Sequence, residues 1–162
     1  MARVQGLERL KANIARIKAD ARAAMGSAAE ASAHELANAI RANAPRDTGK
    51  LAESVKVEQM TSGKGARGLV AAAGMAWTVA AGDRNAPYAR WVEFGTAAQG
   101  ARPSRQNRNY KRTAVMTRAY AAHAATPAQP FFWPTYRLLR RRLKARIARA
   151  TTKAVFMQRS VD

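Results

Sequence analysis

The chain has no cysteine and only two histidines, His34 and His123. Disulfides and thiolate metal sites are excluded, and an imidazole metal cluster within one chain is not expected. Acids are scarce: ten Asp and Glu stand against 29 Lys and Arg, a formal charge of +19 over 162 residues. None of those acids lies between Phe94 and Val161, so the C-terminal half is purely cationic. An imbalance of this size points to polyanionic or acidic partners. Long apolar runs are missing too. No stretch approaches the ~20 apolar residues of a membrane span, and the basic, amphipathic N-terminus, interrupted by Glu8 and Asp20, lacks a secretory apolar region. The expectation is a soluble protein of the cytoplasm, without a membrane partner.

Catalytic chemistry is equally sparse. Asp47, Glu53, Asp83 and Glu93 fall in different predicted elements, and no spacing suggests a carboxylate pair. A nucleophile elbow, a phosphate-binding loop, a zinc-protease helix and a dinucleotide fingerprint are all absent. The expectation is a non-enzyme without cofactor or metal. Glu93 reads as an ion-pair partner for Arg90 or for an arginine of a neighbouring subunit.

What is present divides into four stretches of one domain. Residues 1–44 are helical: Leu7, Leu10, Ile14, Ile17, Ala21 and Ala24 recur at steps of three and four, and the pattern weakens through Leu36 and Ile40, with a break or bend at Gly26-Ser27 and a stop at Pro45. Residues 45–96 hold the sheet and a short helix. Val55 and Val57 alternate with polar neighbours; residues 68–73 and 77–81 are two further strands or one strand with a bulge. Pro87 to Phe94 reads as a helix opened by proline, with Tyr88, Trp91 and Val92 on one face that should be buried. Residues 97–126 form a basic insertion, first a loop or arm and then a helix from Lys111 to about Ala124. Residues 127–162 carry a long basic helix with Pro134 at its first position and a stripe of Leu139, Leu143, Ile147, Ala150 and Ala154. The fold class is α+β, with long terminal helices on a small, mainly antiparallel sheet and a short connecting helix.

Three segments are informative as words. They are Ala44-Pro45-Arg46-Asp47-Thr48-Gly49-Lys50-Leu51-Ala52-Glu53-Ser54, then Tyr88-Ala89-Arg90-Trp91-Val92-Glu93-Phe94-Gly95-Thr96, then Pro127-Ala128-Gln129-Pro130-Phe131. In this order they resemble the neck and tail-completion family of long-tailed bacteriophages, the group related to the lambda tail-completion protein Z. The resemblance runs from Ala44 to Pro134. It implies a virion protein at the head–tail junction, made and assembled in the host cytoplasm, forming a sixfold ring between the head-side connector or stopper and the tail terminator or tube. A tail terminator and a basic, sequence-independent DNA-binding protein are the alternatives. The matched residues Asp47, Thr48, Gly49, Leu51, Ser54, Tyr88, Val92, Glu93, Phe94, Gly95, Thr96, Pro130 and Phe131 are then structural. Asp47 or Thr48 is expected to cap a turn, Leu51 to reach the core, and Gly49 and Gly95 to take conformations a side chain would strain.

The cations fall into two groups. Arg102, Arg105, Arg108, Lys111 and Arg112, with Tyr110 among them, read as an arm for nucleic acid or a protein partner. Arg137, Arg140, Arg141, Arg142, Lys144, Arg146 and Arg149 crowd the last helix. That face is either merely solvated or meets a polyanion, the DNA end in the channel or an acidic ring neighbour, through contacts that read no base sequence.

Overall fold

The computed structural model describes residues 6–60, 70–72, 75–101, 105–107, 115–117 and 121–159. The elements run α1 (Leu7–Asn43), α2 (Lys50–Glu53), β1 (Lys56–Met60), β2 (Val70–Ala72), β3 (Met75–Ala80), α3 (Ala89–Phe94), β4 (Arg105–Asn107), β5 (Val115–Thr117) and α4 (Phe132–Arg159). The fold is α+β. The chain forms two compact units, residues 1–86 with 131–162, and residues 87–130.

In the first unit α1 packs against both α4 and a three-stranded antiparallel sheet of order β1-β3-β2. The register sets Val57 opposite Val79, and Gln59 and Val70 opposite Trp77, so β2 and β3 are two strands rather than one bulged strand. The core reverses the emphasis of the sequence. The buried residues of α1 begin only at Gly26 and include Ala28, Ala29, Ser32, Ala33, Leu36, Ala37 and Ile40, whereas the more apolar stripe of Leu7, Leu10 and Ile14 is exposed. Alanine explains both the burial and the weak pattern. Its short side chain lets α4 and the sheet approach α1 from two sides, and a run of alanines carries little hydrophobic contrast. The helix continues through Gly26-Ser27 without a break; Gly26 is itself buried.

α1 and α4 run antiparallel. Asn43, at the end of α1, donates to the Thr135 hydroxyl at the start of α4 (2.9 Å), and one turn-pair away Glu35 accepts from Arg142 (2.8 Å) and Arg146. Phe131, Thr135 and Leu143 are buried along this seam. α4 starts at Phe132, two residues before the expected position, so Pro134 lies within the first turn, where the missing N–H has no intrahelical acceptor to lose.

In the second unit the described residues of the segment 111–124, expected to be a helix, are not helical. Val115–Thr117 is β5, and His123 and Thr126 lie in isolated bridges. The pairs Thr96↔Thr126, Gln99↔His123, Arg105↔Thr117, Gln106↔Met116 and Asn107↔Val115 share one antiparallel register, since the residue numbers of every pair add to the same total. The insertion is a hairpin whose legs leave α3 and return to α4. In β5 the β-branched Val115 and Thr117 stand two apart, a spacing that favours extended chain once a partner strand is at hand.

Candidate assembly interface

The 44–54 word builds a tight junction in the first unit. α1 ends at Asn43, with the Ala44 amide donating to the Ile40 carbonyl (2.9 Å), and α2 follows at once. Its N-cap is Gly49, in the left-handed region at φ 78°, with no side-chain cap, so Asp47 and Thr48 stay exposed and do not cap as expected. The glycine conformation turns the chain without help from a side-chain oxygen. Leu51 is buried. Ser54, buried beside it, donates to the Leu51 carbonyl (2.7 Å) and accepts from the Gly82 amide (3.0 Å), tying α2 to the exit of β3. Arg41 reaches from α1 to the Val55 carbonyl (2.6 Å) and to Asn38 (2.8 Å).

Asp83 completes this junction, and its role was missed in the sequence. Its carboxylate accepts from the Asn85 amide (2.8 Å), the Ala86 amide (3.1 Å) and Lys56 (3.2 Å). The Asn85 amide above all, then Lys56, holds its pKa below the ordinary value of 3.8. The clue was present: Asp83-Arg84-Asn85-Ala86-Pro87 is a turn sequence in which an aspartate can bond backbone two residues on. Glu35 was also missed, because its two arginine partners lie over a hundred residues away on α4.

On α4, Arg142 and Arg146 meet Glu35, while Arg137, Arg140, Arg141, Lys144 and Arg149 are exposed. Steps of three and four place Arg137, Arg140, Arg141 and Lys144 on one face across two turns. No ion pair neutralises that face among the described residues. Of the arm cations, Arg102, Arg108, Lys111 and Arg112, with Tyr110, lie outside the described residues; Arg105 lies in β4.

In the second unit, the Tyr88–Thr96 word forms α3 and the root of the hairpin. The helix starts at Ala89, after Pro87 and Tyr88 in a turn, and the Val92 amide closes its first turn on the Tyr88 carbonyl (3.0 Å). The buried side is Ala89 and Glu93, four residues apart, not the aromatic one. Trp91 is 59 % exposed, which overturns its expected burial, and Phe94, outside the expected face, is 64 % exposed. Tyr88 and Val92 are half-buried. Gly95 ends the helix at φ 71°, ψ 178°; a Cβ there would stand 2.7 Å from the Thr126 carbonyl oxygen and 2.9 Å from the Ala128 nitrogen. The returning chain is stitched down by paired Thr96–Thr126 bonds (3.0 Å each) and by the Gln129 amide on the Val92 carbonyl (2.8 Å). Pro130 is exposed at the end of this unit, and Phe131 is buried where the chain re-enters the first.

Trp91 and Phe94 line an open groove of about 1090 Å³ with Tyr88, Val92 and the hairpin residues Ala97 and His123. Its surface is mostly apolar, and Arg90 is the charged side chain on its wall. Among the described residues no helix is long and apolar enough to cross a membrane, and no group of three or more His, Asp or Glu is placed to hold a metal. What stands out is surface suited to protein contacts: exposed aromatics in a groove and a cationic helix face.

Comparison with curated proteins and with solved structures gave no match. A comparison with protein families gave one, over residues 8–95, to the family described as "Bacteriophage HK97-gp10, putative tail-component". The matched residues cover α1 to α3 and stop at Gly95, so the hairpin and α4 lie beyond them. The match takes in more than half of the chain: it belongs to the HK97-gp10-like family and is a structural protein of the bacteriophage tail region.

Proposed function

We propose that this tail-region protein acts at the neck, as a ring that joins the head-side connector or stopper to the tail terminator or tube, and that its work is assembly, not catalysis. The observation that carries the reading is the order of the three words between Ala44 and Phe131. It is similar to that of the tail-completion group related to the lambda protein Z, and the first word and all of the second but Thr96 fall inside the family match. Both build junctions here: α1 to β1 through Leu51 and Ser54, and α3 to the hairpin through Gly95 and Thr96. Sixfold symmetry matches that of a tail, and a ring needs two different patches that meet head to tail. Tail terminator is the neighbouring reading at the same junction.

The test is deletion of the gene from its phage, with imaging of the lysate. Filled heads and free tails that fail to join, rescued by the chain supplied in trans, are expected; joined, infectious particles without the chain would contradict the reading.

A second reading is favoured by the face of Arg137, Arg140, Arg141 and Lys144, which no ion pair neutralises among the described residues, namely contact with DNA phosphates, at the channel or free of any virion. Duplex binding should then fall with salt at a log–log slope of about −0.9 per phosphate contact, and glutamine at these four positions should flatten it. Weak binding that ignores salt removes DNA as the partner of α4 and leaves an acidic protein neighbour.

A further inference from the structure

Two apolar surfaces of opposite shape are left open on this chain. One is convex. The α1–α4 seam pairs Asn43 with Thr135 and Glu35 with Arg142 and Arg146, so continuing that antiparallel match brings Arg159, the last residue of α4, level with roughly residue 20 of α1. The first turns of α1 therefore extend beyond α4, by about 20 Å at 1.5 Å per residue. They carry Leu7, Leu10 and Ile14 in a stripe, with Leu10 56 % exposed, and no residue of α1 before Gly26 is buried. The other surface is concave, the groove that displays Trp91 and Phe94.

The sizes agree. A helix about 10 Å across has a cross-section near 80 Å², so a groove of 1090 Å³ holds about 14 Å of helix, or some nine residues. Leu7 to Ile14 is that length. Trp and Phe bury roughly 150–250 Å² each, enough to centre an interface of standard size.

We infer that in the assembled protein the Leu7–Ile14 face of α1 from one copy seats in the Trp91–Phe94 groove of the next copy. This contact rests on the ring reading above and supplies the two unlike patches that a ring requires. It assigns the exposed aromatics of α3 and the uncovered start of α1 to each other.

The test uses the full chain with two double variants, Leu10→Asp with Ile14→Asp, and Trp91→Ser with Phe94→Ser. All four positions are exposed, and circular dichroism checks that helix content is kept. By sedimentation the wild type should assemble, each double variant should stay monomeric, and an equal mixture should give dimers and nothing larger, because only one good patch of each kind remains. Where the wild type assembles only on particles, loss of incorporation in both variants supports the contact. Normal assembly or incorporation of either variant overturns it and leaves the ring reading standing. A mixture that stays monomeric while the helix variant alone is defective also overturns it, in favour of stripe-to-stripe pairing. A wild type that is monomeric and missing from purified particles overturns the ring reading itself.

Discussion

Replacing Gly95 by alanine should cost far more than the same change at Gly49, although both glycines have positive φ. At Gly49 the backbone sits at φ 78°, ψ −18°, and an added Cβ meets nothing within 4 Å. The penalty there is conformational alone, about 1 kcal/mol. At Gly95 the backbone lies at φ 71°, ψ 178°, a region almost closed to L residues, so conformation alone costs up to ~3 kcal/mol. The new Cβ would also lie 2.7 Å from the Thr126 carbonyl oxygen and 2.9 Å from the Ala128 nitrogen. Both are backbone atoms pinned by the Thr96–Thr126 pair and the Gln129–Val92 bond, so relief requires breaking one of them, another ~1 kcal/mol or more. Hydrogen exchange at the Thr96, Thr126 and Gln129 amides reads this locally. Gly95→Ala should speed exchange at all three by about a hundredfold, the full ~3 kcal/mol at ~1.4 per decade, while Gly49→Ala leaves them unchanged. Equal effects of the two substitutions on these amides would refute the close approach at the hairpin root.

Other consequences follow from the helical seam and the Asp83 turn. Glu35→Gln should lower urea stability by about 1 kcal/mol at low salt, and by less at high salt, because its arginine partners are partly solvated; no salt dependence would argue against the pair. Ala33→Leu, at a position of α1 with no exposed surface, should overpack and cost ~1–3 kcal/mol; a neutral result would mean that α1 is not closely packed there. Asp83 has a lowered folded pKa, so its contribution is fully present above the ordinary value of 3.8 and is lost as pH falls through the folded value. Asp83→Asn should therefore flatten the acid limb of a stability–pH curve, and identical limbs in the two proteins would remove the Lys56–Asp83 turn from the account.

The sequence was most legible where one signal had one meaning. Pro45 and Gly95 mark element ends, the alternation around Val57 marks a strand, and the stripe of α4 with Leu143 at its centre marks a packed helix. It misled where hydrophobicity stood in for burial. The strongest stripe, Leu7 to Ile14, is solvent-facing, and an alanine face of low contrast is the core, because closeness of approach and not side-chain size decides what α1 buries. The same error recurs at α3, where Trp91 looks like core and is not; whether a large aromatic is buried depends on what the fold sets against it. The 111–124 segment failed for another reason: its alanines suit a helix locally, and at its described residues antiparallel pairing with the chain just before it, seen at Gln99–His123 and Arg105–Thr117, prevails. Of the cationic candidates, the α4 face could be read directly from three- and four-residue spacing, whereas which arginines are neutralised required knowing that Glu35 lies opposite Arg142 and Arg146.

In the proposed function the chain is built into the virion as one ring at the junction. The direct measurement is its copy number in purified particles, by quantitative mass spectrometry against the tail-tube protein, together with gold labelling of a tagged chain. A single ring's worth of copies, sixfold, is expected, with label confined to the point where head meets tail. Absence from the particle, or copies spread along the tail in proportion to tube length, would contradict it.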